Sequence, residues 1–149
     1  MHTELTITRM SGMTKDGKEI RLDQLHDEIK KLNPEILSDL NRMIMLYSQA
    51  QIVIGHLDAE ALYTHGAMYA QRKQMQAEII KSTQGTVAEK ESTAEIETYE
   101  LRLAEAEAKS ESRKWQNLFK SYDNLIIALR RDERTAIEEY KKANDLCER

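Results

Sequence analysis

The residues best suited to metal or acid–base chemistry lie near the middle of the chain. His56 and Glu60 are four residues apart, with Asp58 and His65 close by. Metal sites in helical bundles that use carboxylates repeat a Glu-x-x-His pair on two helices. No such pair occurs here, and no histidine follows His65. We therefore expect surface or partner-facing histidines, and the sequence predicts neither a metal nor another cofactor.

The sequence also contains no strong candidate for a catalytic nucleophile or a phosphate-binding loop. Cys147 is the only cysteine and lies close to the end of the sequence, with no base fixed nearby. Gly12 and Gly17 do not belong to a GxxxxGK[ST] loop. We predict no catalytic residue and no enzymatic activity. The lone thiol and an N-terminus without a cationic start or apolar core indicate a reducing, cytoplasmic location.

The composition limits the elements that could position such residues. The chain has 149 residues, of which 40% are hydrophobic, 32% charged and 5% aromatic, with five glycines and one proline. Few turn formers argue against a β-sandwich, and no apolar run is long enough to span a membrane. The net charge of −4 makes direct binding to nucleic acid unfavourable. The expected fold class is mainly α.

Residues 1–33 differ from the remainder and form the first predicted domain. Leu5 and Ile7, and then Ile20 and Leu22, alternate with polar residues on either side of turn formers, which predicts a small β-hairpin. Asp23 is the expected N-cap of a short helix that ends before Asn33 and Pro34 and packs with the hairpin on the base of the second domain.

Residues 34–149 are predicted to form a long antiparallel αα-hairpin with coiled-coil-like packing and a turn near 82–86. Asn33 and Pro34 are a suitable N-cap and first position for its first helix, which should reach about Ser82. Gly85 is followed by a Thr86-x-x-Glu89 capping box. The second helix, from Val87 to about Leu146, contains neither Gly nor Pro.

Apolar residues recur every seventh position in both long helices, which indicates a packed seam. The richest apolar stretches, residues 36–62 and 108–134, should face each other. These stripes are too wide for two helices to cover, so we expect a homodimer. The candidate core or dimer seam consists of Leu40, Tyr47, Ile54, Trp115, Phe119, Tyr122, Ile126 and Leu129. A base-stacking surface of Trp115, Phe119 and Tyr122 is the less favoured alternative, because the charges around them are mixed.

A second set of residues lies where the apolar row has narrowed. Tyr63 and Tyr69 are followed by Arg72 and Lys73. Exposed aromatic residues flanked by arginine are typical of protein-binding surfaces. These four residues are the candidate partner-binding site, although a contact with a second copy of the chain would explain them equally well.

Part of the sequence resembles a known class of proteins. The runs 85–91, 96–101 and 113–118 (GTVAEKE, IETYEL and RKWQNL) are similar to small coiled-coil proteins from the early regions of tailed phages and prophages. The resemblance covers roughly residues 60–146. It implies an accessory protein from a gene region concerned with recombination, replication or interference with host defence, and it assigns no catalytic residue.

These observations favour a non-enzymatic factor that binds and modulates, and possibly inhibits, a host or phage protein through its helical arm. Two alternatives remain open: a helper in recombination or replication that associates with nucleic acid, and a structural component of a virion.

Overall fold

A computed structural model describes residues 13–147, and about 90% of these residues are helical. There are four helices in this range: α1 (Lys15–Lys30), α2 (Leu37–Ser82), α3 (Val87–Glu97) and α4 (Tyr99–Cys147). The mainly helical fold is as predicted, and no strand occurs within the described residues. None of the helices in this part of the chain is long and apolar enough to cross a bilayer.

The second predicted strand is wrong, because Ile20 and Leu22 lie within α1. Leu22, Leu25 and Ile29 follow one another at spacings of three and four and are all buried, which is helical periodicity. Ile20 faces outward and is 58% exposed. The first predicted strand, with Leu5 and Ile7, lies outside the described residues.

The N-cap of this helix was also wrongly predicted. Thr14 occupies that position, and its side-chain oxygen accepts a hydrogen bond from the amide of Gly17 at 3.2 Å. Asp23 lies within the helix instead. A threonine before the first turn satisfies one of the free amides there, and this cap lies nine residues before the predicted one.

Helix α2 begins later than predicted. The side-chain oxygen of Asn33 accepts from the amide of Glu35 at 3.0 Å, and the Asn33 carbonyl accepts from the amide of Ile36 at 3.1 Å. These short-range bonds form a turn before the helix, which starts at Leu37. The predicted end at Ser82 is confirmed.

The turn between α2 and α3 is confirmed in detail. Gly85 has a φ of 122°, a conformation that favours glycine. The Glu89 amide donates to the Thr86 hydroxyl at 3.3 Å, and the Thr86 amide donates to the Glu89 carboxylate at 2.8 Å. The hydrogen bonds of Thr86 lower the pKa of Glu89, that from its backbone amide most of all. This is the predicted capping box.

The predicted single helix after the turn is interrupted at Thr98. This residue has φ −101° and ψ 12°, and it separates α3 from α4. Its hydroxyl donates to the Ala94 carbonyl at 2.7 Å. Such bonds from a threonine hydroxyl to the preceding turn often bend helices. The Thr98 amide still donates to Ala94, and the Arg102 amide donates to Thr98, so helical spacing continues across the interruption.

The chain divides into two compact units. Unit 1 contains the described residues up to His56 and those from Gln116 onward, and unit 2 is Leu57–Trp115. Unit 1 therefore contains α1, the first part of α2 and most of α4. Its buried apolar residues are Leu22, Leu25, Ile29, Leu40, Leu46, Ala50, Val53, Ile54, Ile126 and Leu129. Burying a leucine or isoleucine fully stabilises a fold by roughly 1.5–3 kcal/mol, so these side chains account for the packing of unit 1.

Unit 2 is a helical hairpin with fewer large buried residues. Its buried apolar side chains are Leu57, Ala61, Ile79, Ala94, Ala108 and Trp115. Three of these are alanines, which bury little area each. Polar side chains that bridge the two halves of the hairpin therefore become important to its geometry.

Candidate functional site

Most of the predicted seam residues in unit 1 are buried or partly buried. Leu40, Ile54, Ile126 and Leu129 are at most 7% exposed. Tyr47 and Tyr122 are partly buried, and their rings meet edge-to-face with centroids 5.2 Å apart. Burial, and secondly the charge of Tyr47, raise the pKa of Tyr122 to about 12.

The Tyr122 side chain also connects α4 with α1. Its hydroxyl is hydrogen-bonded to Nε2 of His26, and the two rings meet at 75° with centroids 5.6 Å apart. His26, Tyr47 and Tyr122 thus join all three helical segments of unit 1. No residue spacing predicted that His26 would join this cluster, because it lies far from both tyrosines along the chain.

Phe119 was predicted to lie in the core or in a dimer seam; it is 42% exposed in the single chain and so lies outside the core, and its place in a dimer seam stays a prediction. It lies at the edge of the α4 face that buries Ile126 and Leu129, and Gln51 of α2 donates to its backbone carbonyl at 3.3 Å. A polar side chain of α2 therefore contacts this turn of α4.

Trp115, the remaining seam residue, belongs to unit 2 and is 3% exposed. The Lys114 ammonium lies 4.4 Å from the centre of its ring. Because this ring is buried, it offers no face on which a nucleic-acid base could stack in the present structure.

The four candidate partner-binding residues do not form one surface. Tyr63 and Arg72 are nine residues apart on α2, which is about two and a half helical turns, so they point to opposite sides. Tyr63 is 79% exposed and Tyr69 is 47% exposed. The cations of Arg72 and Lys73 lie 5.4 and 5.9 Å from the centre of the Tyr69 ring. Tyr69, Arg72 and Lys73 form one group, and Tyr63 stands apart.

Arg72 is held by the opposite half of the hairpin rather than free at the surface. Its Nε donates to the Glu105 carboxylate at 2.7 Å, and its Nη1 donates to the side-chain oxygen of Gln76 at 3.3 Å. Both side chains of the ion pair are about 15% exposed. The hydrogen bond from Arg72 lowers the pKa of Glu105, and the same bond raises the pKa of Arg72.

Further polar bonds cross the hairpin on both sides of this ion pair. Gln76 donates to the buried Thr98 hydroxyl at 3.2 Å. The Ser112 hydroxyl donates to the Asp58 carboxylate at 2.5 Å, and Nδ1 of His65 lies 3.2 Å from the Glu105 carbonyl. Within the described residues, no three His, Cys, Asp or Glu side chains are grouped so that they could hold a metal ion.

Sequence reasoning missed an exposed apolar stripe on unit 2. Ile96, Tyr99 and Leu103 follow one another at spacings of three and four, and they are 74%, 56% and 42% exposed. Helical residues at these spacings lie on one face. The spacing of these three residues is visible in the sequence, but they lie outside the seven-residue apolar row on which the predicted seam was based.

A cleft lies to one side of the apolar stripe. It has a volume of about 290 Å³ and is lined by His65, Arg72, Arg102, Glu105, Ala106 and Lys109. Arg102 also lines a more open groove together with Glu95, Ile96 and Tyr99. The cleft and the stripe are therefore continuous through Arg102.

Comparison with protein-family models, with curated proteins and with solved structures finds no match to this chain. Its function is therefore inferred from its own residues.

Proposed function

We propose that the chain is a non-enzymatic protein-interaction factor that binds another protein through the helical hairpin of unit 2. The exposed stripe of Ile96, Tyr99 and Leu103 carries this proposal. Large apolar side chains grouped on one exposed face mark contact surfaces more often than scattered single ones do. Tyrosine in particular is enriched at protein interfaces.

The polar framework of the hairpin supports the same role. The Arg72–Glu105 ion pair and the Gln76–Thr98 hydrogen bond fix α2 against the later helices. A surface on such a framework is ordered before the partner arrives, which reduces the entropy cost of binding.

The resemblance to phage accessory proteins suggests what binding would achieve. A helix face that covers part of a host or phage enzyme would inhibit the enzyme by occluding its surface, or would act as a scaffold that holds it. Neither effect requires a chemical reaction by this chain. Homodimerisation through unit 1 and a cytoplasmic location remain predictions that accompany this proposal.

Affinity capture with two matched double variants tests the proposal. Replacing Ile96 and Tyr99 with glutamine removes the centre of the stripe, whereas replacing Leu62 and Tyr63 with glutamine changes a similar pair on α2. Leu62 and Tyr63 are 48% and 79% exposed, so both variants should fold. We expect a specific partner in cells of the source organism to be retained by the wild type and the Leu62/Tyr63 variant, and lost by the Ile96/Tyr99 variant.

Two results would contradict the proposal. Loss of the partner only in the Leu62/Tyr63 variant would place the binding surface on α2, around Leu62 and Tyr63, instead of on the stripe. Equal capture by all three proteins would show that the stripe takes no part in binding.

A further inference from the structure

The charges around the cleft are the reverse of those in the surrounding sequence. Residues 89–111 contain eight acidic and only three basic residues. Two of these three basic residues, Arg102 and Lys109, line the cleft, and α2 adds Arg72 and His65. Glu105 is the only carboxylate in the lining, so three cations and one carboxylate give a formal charge of +2 with His65 neutral.

The cations of the cleft have donors available. Arg72 uses Nε for Glu105 and Nη1 for Gln76. An arginine carries five N–H donors, so Nη2 retains its hydrogens while the other bonds hold the guanidinium in place. Arg102 and Lys109 are exposed, and the charge of Arg102 also acts on the Glu105 carboxylate. An anion entering the cleft would meet one oriented cation and two adaptable ones.

From this arrangement we infer that the cleft binds carboxylates of an acidic peptide segment belonging to the protein partner. The inference rests on the proposed function and adds the chemistry of the segment that is bound. Because Arg102 borders both the cleft and the groove beside Ile96 and Tyr99, a chain that covers the apolar stripe passes the cleft directly. The volume of about 290 Å³ accommodates more than a single small ion.

The experiment titrates the purified full chain with a hexaglutamate peptide and, separately, with inorganic phosphate. Binding is followed by the NMR signals of the arginine Nε–H groups and of the His65 ring. We expect saturable changes at Arg72, Arg102 and His65 with the peptide, and no saturable change with phosphate at the same concentration. Saturation by phosphate with no response to the peptide would overturn the assignment to an acidic peptide.

Variants with opposite expected effects make the test specific. Replacing Arg102 and Lys109 with glutamine should weaken peptide binding by roughly five- to tenfold, because two exposed cations are removed. Replacing Glu105 with glutamine should strengthen it by roughly two- to fivefold, because the amide oxygen can still accept from Arg72 Nε while the opposing negative charge is lost. The matched control replaces Lys81 and Arg113, two exposed cations elsewhere in unit 2, with glutamine, and it should bind like the wild type.

An equal loss of affinity in the control variant would overturn the inference, because it would show general charge attraction rather than a site. Failure of the inference is distinguishable from failure of the proposed function. Peptide binding needs no cellular partner, and partner capture through Ile96 and Tyr99 needs no hexaglutamate. Capture without peptide binding would refute the cleft alone. Peptide binding without capture would refute the proposed function and, with it, the assignment of the bound segment to a partner, while the binding of carboxylates in the cleft would stand.

Discussion

The ion pair between Arg72 and Glu105 is the residue-scale feature on which the geometry of the cleft depends. Arg72 lowers the pKa of Glu105 by its hydrogen bond, so the folded state favours the ionised carboxyl. A depressed pKa contributes stability above the ordinary pKa of the group, and this contribution is lost as the pH falls through the folded value.

The Glu105→Gln variant tests this linkage. We expect wild-type thermal stability to exceed that of the variant at pH 7 and the difference to shrink on acidification to about pH 3. Circular dichroism melts over this range measure the effect. Glu107→Gln is the control, because Glu107 is exposed in the same helix, and it should leave the acid dependence unchanged. A difference that stays constant with pH would contradict the account.

The raised pKa of Tyr122 predicts a second pH dependence of stability, at alkaline pH. Its folded pKa of about 12 exceeds its ordinary value of 10.0, so stability should fall as the pH rises through this interval, where unfolded chains lose the proton first. Burial also raises the pKa of Tyr47, so titration of tyrosinate absorbance should show late ionisations of both tyrosines, and the one near pH 12 should disappear in Tyr122→Phe. Simultaneous ionisation of all tyrosines near pH 10 would refute the burial of this hydroxyl.

At the scale of elements, the turn at Gly85 is the feature most fully determined by local sequence. Glycine supplies the positive φ, and Thr86 and Glu89 supply the capping box. All these interactions lie within five residues, so the pattern could be read without knowledge of the tertiary fold.

Replacing Gly85 with alanine should therefore destabilise the hairpin by about 1–3 kcal/mol, because a side chain at this φ is strained. The added Cβ would also lie 2.7 Å from the Glu89 carboxylate and disturb the cap. Chemical denaturation measures the change. Gln84→Ala is the adjacent control and should have little effect. Equal stability of both variants would contradict the structure of the turn.

The elements that were wrongly predicted depend on interactions between distant residues. The pattern around Ile20 and Leu22 is compatible with a short strand and with a helix. Leu22 is buried together with Leu25 and Ile29, at helical spacing, and this tertiary packing favours the helix. The break at Thr98 involves Gln76 on another helix. Hydrogen bonds of this kind leave no periodic signal in the sequence.

At the scale of the whole molecule, the seven-residue rows predicted the long helices and most of the buried positions. They could not predict the cleft, because its lining residues come from both halves of the hairpin. In the sequence, Glu105 is one of many acidic residues and nothing distinguishes it from the others. The seven-residue rows also gave no sign that Phe119 is 42% exposed in the single chain or that Gln51 contacts its backbone carbonyl.

The packing of unit 1 can be tested with two neighbouring substitutions. Leu129 is 7% exposed and Ile127 is 60% exposed. Leu129→Asp should destabilise the protein by about 3 kcal/mol or more, because a buried apolar contact is replaced with a charge. Ile127→Asp should have a much smaller effect. Urea denaturation compares the two, and similar midpoints would contradict the assigned packing.

Site-specific photo-crosslinking in cells of the source organism tests the binding role of the hairpin most directly. A photoreactive residue at Leu103 lies on the apolar stripe, and one at Gln71 is an exposed control on α2. We predict that the Leu103 position crosslinks to one other protein and that the Gln71 position does not. Crosslinking of Leu103 only to a second copy of the chain, or to nothing, would contradict the account.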